Sequence, residues 1–283
     1  MKTKKLKFYK MHGIGNDYIY FDCMKSNPIS DPNALSQKLS DRHFSVGGDG
    51  IILLCPSEVA DCKMRMFNAD GSEGKMCGNG IRCLGKLAHD LGYIKGDTCT
   101  VETLSGIKKL QLFCGHDGKV NFVRVDMGAA ELNGEKIPST VKGEKVVNHP
   151  LKIDGEIYPA TLVSMGNPHC VIFKDPDKTD IEGLGKKVEF SEYFPERVNC
   201  EFVRVLDRTH LKMRVWERGS GETFACGTGA CATAVAAVLN GYSDKNTEIT
   251  VSLLGGDLKI TYTDESVYMY GAAALAFIGE VEI

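Results

Sequence analysis

Lys63-Met64-Arg65-Met66-Phe67 returns as Lys212-Met213-Arg214-Val215-Trp216, 149 positions further along the chain. At that fixed offset Glu73 falls on Glu222, Cys77-Gly78 on Cys226-Gly227, Gly80 on Gly229, Ala88 on Ala237, and Gly92-Tyr93 on Gly241-Tyr242. One more position of offset lays Thr100-Val101 on Thr250-Val251, and two more lay Gly15-Asn16 on Gly166-Asn167. An ordered series that drifts by two residues over half the chain is the mark of a duplicated module with small loop changes. The 283 residues suit that reading, being long for one core and short for three. The expected domains are 1–126 and 127–273, with the last strand, about 274–283, packing back onto the first.

Local signals sketch each module. Lys63 to Phe67 alternates charged and apolar groups, the period of a half-buried strand. Asn68-Ala69-Asp70-Gly71-Ser72 and Arg218-Gly219-Ser220-Gly221 have loop composition. Apolar groups at Ile81, Leu84, Leu87, Ala88 and Leu91 follow a helical period that Gly92 stops, and Ala230 to Leu239 is apolar on every face, so that helix should be buried all round. Strands are expected after each helix, over Thr98 to Phe113 and Thr247 to Tyr262. The fold class is therefore α/β in the α+β sense: two pseudo-symmetric, strand-rich domains, each wrapped around a central helix. Too few helices alternate with the strands for a Rossmann sheet.

Composition narrows the function. With 34 basic and 37 acidic residues, a net charge of −3 leaves no electrostatic footprint for nucleic acid or an anionic membrane. The longest apolar runs, Ala232 to Leu239 and Gly271 to Gly279, fall short of the ~20 residues of a spanning helix. Lys2, Lys4 and Lys5 are not followed by the apolar stretch of an export signal, so a cytoplasmic protein is expected. Eleven cysteines without C-x-x-C, and seven histidines without H-x-x-x-H, support neither a metal site nor a disulfide scaffold. In a reducing compartment most of the cysteines should be small buried hydrophobes.

Two of them stand apart. Cys77-Gly78-Asn79-Gly80 and Cys226-Gly227-Thr228-Gly229 occupy equivalent places in the repeat, each where a loop turns into a helix. Cys83 and Cys62, by contrast, fall on Ala232 and Leu211. A helix N-terminus carries about half a unit of positive charge and unsatisfied N–H groups, so it attracts carboxylate and favours thiolate over thiol. Each thiol is accordingly expected to titrate below its free value. Two such mouths facing one bound carbon supply a base on one side and an acid on the other. That is equipment for inverting a stereocentre by removing and returning a proton. A tight turn around a structural cysteine would use the same glycines.

His12-Gly13-Ile14-Gly15-Asn16-Asp17-Tyr18, Phe67-Asn68-Ala69-Asp70-Gly71-Ser72-Glu73, and Met76-Cys77-Gly78-Asn79-Gly80-Ile81-Arg82-Cys83 together resemble the diaminopimelate epimerase family. So do Gly166-Asn167-Pro168-His169-Cys170, Arg197-Val198-Asn199, Trp216-Glu217-Arg218-Gly219 and Ala225-Cys226-Gly227-Thr228-Gly229-Ala230, and the blocks run in family order. The resemblance implies a cofactor-independent, metal-free epimerase with its site in a cleft between the domains. It would interconvert LL- and meso-diaminopimelate for lysine and peptidoglycan synthesis, as a homodimer. It makes Cys77 and Cys226 the acid–base pair, with His169 and Glu217 close to the reacting centre. It also makes Asn16, Asn68, Asn167 and Asn199 substrate amides, and Arg218 the partner of the distal carboxylate. The mouths Gly78-Asn79 and Gly227-Thr228 would hold the reacting carboxylate. One contact departs: some members carry glutamine where this chain has Gly50, and a water or backbone group is expected to replace it. Rival readings are a proline-type or broader amino acid racemase, a thiol–disulfide redox protein, and an amino acid sensor. His89, His116, His149 and His210 belong to no motif.

Overall fold

The structure, a computed structural model, describes Lys5 to Glu282. Lys2 and Lys4, weighed above as an export signal, and Ile283, the expected end of the last strand, lie outside the described residues. The chain forms two compact units, one running to Val125 and taking in the residues from Gly271 on, the other Asp126 to Tyr270.

In the first unit β1 (Lys5–Gly13) turns into β2 (Asn16–Asp22), and α1 (Pro32–Ser40) leads to β3 (Gly50–Cys55) and β4 (Cys62–Asn68). The short β5 (Glu73–Gly74) precedes the long helix α2 (Gly78–Asp90), after which come β6 (Thr98–Thr103), β7 (Gly106–Cys114) and β8 (Val120–Gly128). Neighbouring strands pair antiparallel except β2 with β3 and β4 with β6, which are parallel. Parallel neighbours need a crossover, and these two are made by α1 and α2.

The second unit repeats the plan: β9 (His149–Ile153), β10 (Glu156–Ser164), β11 (Pro168–Ile172), α3 (Ile181–Glu189), β12 (Asn199–Val205), β13 (His210–Glu217), β14 (Gly221–Glu222), α4 (Gly227–Leu239), β15 (Glu248–Leu253), β16 (Gly256–Tyr262) and β17 (Val267–Ala272). Its parallel pairs, β11 with β12 and β13 with β15, stand at the equivalent places. Finally β18 (Ala274–Glu282) runs antiparallel along β1 in the first unit.

The helices show why the repeat persists. Both α2 and α4 have 13 residues, and each is capped by its cysteine. α4 is small and apolar throughout, with Gly229 to Ala237 buried without a break. α2 differs from the one-sided helix its periodicity suggests: Gly78 to Ala88 are all buried, Arg82 and Lys86 among them. Lys86 is accommodated by Asp90 at 2.8 Å and the Val120 carbonyl at 2.5 Å, and Arg82 donates to the carbonyls of Gly78 and Ala272. Each helix starts three residues earlier than its first periodic apolar group, because the glycines carry no hydrophobic signal. The short helices α1 and α3, capped by Asp31 and Asp180, were invisible to the periodicity argument. They close separate apolar clusters, Leu35 and Leu39 against Ile51 and Phe67, and Ile181 and Val188 against Cys200 and Phe202.

Forked ion pairs brace the segment before each mouth: Arg65 to Glu73 at 2.8 and 3.2 Å, and Arg214 to Glu222 at 2.6 and 2.8 Å. Nine of the eleven cysteines are buried; Cys77 is half-buried and Cys114 exposed. No helix among the described residues is long and apolar enough to cross a membrane.

Candidate active site

Cys77 has extended backbone and ends the loop, so its side chain folds over the first turn of α2. The Gly80 N–H donates to its Sγ at 3.3 Å, and the thiol donates to Asn16 Oδ1 at 3.2 Å. Asn16 is itself oriented: its Nδ2 donates to Asp49 Oδ2 at 2.6 Å, which also accepts the Asp17 N–H. Arg42 closes the network onto Asp49 and Asp17, and Lys10 joins Asp17 from the other side. Burial pushes the Asp17 carboxyl up, but Arg42 and Lys10 outweigh it and hold the group below its ordinary value. Tyr18 lies against the same sulfur, its hydroxyl pushed up by burial and then by the charges of Cys77 and Asp49. Asn68, at the end of β4, donates from Nδ2 to Ser72 at 3.0 Å. Asn79 is buried, its Cβ and carbonyl oxygen lying beneath Gly13.

The second mouth has the same backbone and different chemistry. Cys226 caps α4, taking the Gly229 N–H at 3.4 Å, and lies 3.6 Å from the Thr228 hydroxyl. The expectation of a lowered thiol fails here. Burial pushes the Cys226 thiol far up, and the nearby Glu217 and Glu201 carboxylates push it further; Thr228 and the Gly229 N–H pull back less. Only 4% of the residue is exposed, and desolvation of a thiolate at that depth exceeds what a helix end returns. Glu217 is likewise raised by burial, against hydrogen bonds from Thr223 and Cys226 and the nearby His169. His169 is wholly buried, between Glu201 at 2.6 Å and Asn167 Oδ1 at 3.1 Å.

Asn199 and Arg218 form a separate group in this unit. Asn199 Nδ2 donates to the Pro168 carbonyl at 2.9 Å, and its Oδ1 accepts the Arg218 N–H at 3.0 Å. Asn199 thus holds the backbone of Arg218. The Arg218 side chain is exposed and donates from Nη1 to the Glu196 carbonyl at 3.1 Å; among the described residues no carboxylate pairs with it. It is not part of a solvated ion pair with Glu217. Residues the motifs did not single out are Asp49, Thr223 and Glu201. For Glu201 the signal is structural: the carboxylate lies within Asn199 to Val203, a run buried at every position. No group of three or more His, Cys, Asp or Glu among the described residues is arranged to hold a metal ion.

Gly50 explains its own departure. Its φ is +152°, and an added Cβ would lie 2.0 Å from the Phe67 carbonyl oxygen. This backbone has no room for any side chain, so Gly50→Gln should not supply a new contact. It should instead lower stability by about 2–3 kcal/mol, read as a clear drop in Tm; an unchanged Tm contradicts the clash.

A duplicated, strand-rich α/β unit built around one long helix is a fold shared with solved structures. A phenazine biosynthesis protein of the PhzF family from Bacillus anthracis superposes with a TM-score of 0.71 at 18% identity, covering 99% of this chain and 100% of its own. A probable proline racemase from Agrobacterium radiobacter gives 0.73 at 12% identity, covering 98% and 92%. The sequence pattern of the diaminopimelate epimerase family matches residues 8–133 and 161–276. The diaminopimelate epimerase of Acetivibrio thermocellus is 52% identical over 281 residues, 98% of this chain and 99% of the relative; that of Methanococcus maripaludis strain S2 is 49% identical, over 98% and 100%. The chain belongs to the diaminopimelate epimerase family.

Proposed function

We propose that this chain is a cofactor-independent isomerase that interconverts LL- and meso-diaminopimelate. The observation that carries the reading is the pair of cysteine-capped helix mouths at equivalent positions of the two units, in a chain of this family. One thiolate removes the α-proton, and the other thiol returns a proton to the opposite face of the same carbon. The reaction therefore requires both mouths to reach one α-carbon from opposite sides. First-turn N–H groups at Gly78-Asn79 and Gly227-Thr228 suit the carboxylate whose charge grows as the proton leaves. Asn16, Asn68, Asn167 and Asn199 would orient the two amino acid ends, with Glu217 and His169 at the Cys226 face. Arg218, without a carboxylate partner among the described residues, suits the distal carboxylate. A proline-type substrate has no such second end and would leave Arg218 without a role. On this reading the enzyme works in the cytoplasm as a homodimer, in the supply of lysine and peptidoglycan cross-links, as the family resemblance implies.

The test is NMR of LL-diaminopimelate in D₂O with the purified chain. Deuterium should enter one α-carbon as the meso isomer forms; no exchange refutes the reading and leaves the sensor and redox alternatives. Exhaustive dialysis against chelator, with reductant present, should leave the rate unchanged. Activity restored only by an added metal or cofactor contradicts a mechanism that uses two thiols alone.

A further inference from the structure

The repeat makes the two mouths comparable position by position, and the comparison exposes an asymmetry. Asn16 corresponds to Asn167 and Asn79 to Thr228, polar residues in both copies. Behind these, Tyr18 corresponds to His169, Asn68 to Glu217 and Ile52 to Glu201. The last pair occupies the same space under each helix. A Cβ at Gly80 would meet Ile52 Cδ1 at 2.7 Å, whereas one at Gly229 would meet Glu201 Oε1 at 2.8 Å. Where the first unit seals its helix with a methyl group, the second buries a carboxylate with no solvent exposure.

That carboxylate begins a chain of contacts that ends on sulfur. Glu201 Oε1 lies 2.6 Å from His169 Nδ1, His169 Nε2 lies 3.1 Å from Asn167 Oδ1, Asn167 Nδ2 lies 3.3 Å from Thr228 Oγ1, and Thr228 Oγ1 lies 3.6 Å from Cys226 Sγ. Thr228 takes the Asn167 Nδ2–H, which turns the Asn167 carbonyl oxygen toward the ring of His169. Nδ1 faces the Glu201 carboxylate and Nε2 faces the Asn167 carbonyl oxygen, so each ring nitrogen has an oxygen acceptor beside it. The Asn167 amide donates to Thr228, and the hydroxyl hydrogen is left to point at Cys226.

We infer that Glu201 is a positioning residue for the proposed epimerase: it holds His169 as an imidazolium and thereby orients Asn167 and Thr228, so that the Thr228 hydroxyl donates to the Cys226 sulfur when that sulfur has given up its proton. The inference rests on the two-thiol reading for its kinetic consequence but not for its geometry. Among the described residues the charges acting on Cys226 come from Glu217 on β13 and Glu201 on β12, and His169 on β11 lies against Glu201. The Cys77 mouth has a tyrosine in place of the histidine and no buried carboxylate in place of Glu201, so the two thiols are chemically unequal within one repeated backbone.

The experiment has two arms. In wild type, nitrogen NMR of labelled histidine at neutral pH, without substrate, should show His169 protonated at both nitrogens, with an exchange-protected Nδ1 proton. A neutral ring at neutral pH overturns the inference. In Glu201→Gln the side chain can donate as well as accept; the imidazolium signature should vanish. kcat should fall about 10²-fold, the lower end of the cost of a misplaced proton carrier, with a smaller change in KM through the loosened Asn167 amide. The alkaline limb of the rate, in the direction that uses Cys226 as acid, should move, because the substitution alters the Glu201 charge and the Thr228 hydrogen bond that both act on that thiol. Wild-type kcat and an unmoved limb in a folded Glu201→Gln overturn it. If that variant does not fold, the wild-type spectrum decides alone. A wild-type chain that shows the imidazolium but turns over no diaminopimelate would refute the proposed substrate and leave the hydrogen-bonded chain standing.

Discussion

Cys77→Ser and Cys226→Ser should each lose epimerisation by about 10³-fold or more, within the range expected for deleting a proton carrier. Serine is the informative substitution because each cysteine has two jobs. Its sulfur takes the N–H of Gly80 or Gly229 and so caps the helix, at 3.3 and 3.4 Å. Alanine would remove the cap as well, at a cost of about 0.5–2 kcal/mol, and loss of rate would then be confounded with loss of fold. A serine hydroxyl keeps the cap but is far too weak an acid to serve as a resting base. Each variant should retain elimination from a β-halogenated analogue of one stereoisomer, since that step needs only a single base. The two variants should prefer opposite stereoisomers. Epimerisation at the wild-type rate by either serine variant would end the two-thiol mechanism.

Arg218→Lys should reduce kcat/KM for diaminopimelate by about 10²-fold, the scale on which small misplacements of a bound substrate cost rate. The argument begins with how Arg218 is held. Its backbone N–H is fixed by Asn199 at 3.0 Å and its Nη1 by the Glu196 carbonyl at 3.1 Å, which leaves the rest of the guanidinium fork for a planar anion. Lysine keeps the charge but neither the fork nor the anchor to Glu196, so a distal carboxylate can swing and the reacting carbon drifts from its line. Binding energy from that remote end is then lost to the transition state, and kcat should fall along with affinity. Lysine as substrate has no distal carboxylate and should be turned over very poorly by wild type. Equal turnover of lysine and diaminopimelate by the unmodified chain would remove Arg218 from the specificity apparatus and favour a broader racemase.

How far residues alone carried the account varies by position. The duplication was readable from Lys63 to Phe67 and its echo, because strand alternation and glycine spacing are local properties that survive duplication. The two long helices were readable for the same reason, though their starts were not: glycine and asparagine at the mouths carry no apolar period. The short helices α1 and α3 escaped notice, since Leu35, Leu39, Ile181 and Val188 gain their meaning only from the clusters they close. Matching Cys77 to Cys226 as equivalent helix caps required nothing beyond aligning the repeat.

By itself the sequence determined that two equivalent thiols stand at the heads of two equivalent helices, and that asparagines, a histidine and an arginine accompany them. Tertiary structure alone decided their states. Cys226 is driven up because strands distant in sequence bury it and bring Glu217 and Glu201 beside it, an effect larger than the helix end from which the sequence argued. Glu201 meets His169 only because β11 and β12 pair in parallel, a register that no local pattern encodes. Gly50 excludes a side chain because the carbonyl of Phe67, on the neighbouring strand, occupies the place of its Cβ. Residue type fixes which chemistry is available, whereas desolvation and through-space charge fix which form of it is present, and both are sums over neighbours that only the folded chain assembles.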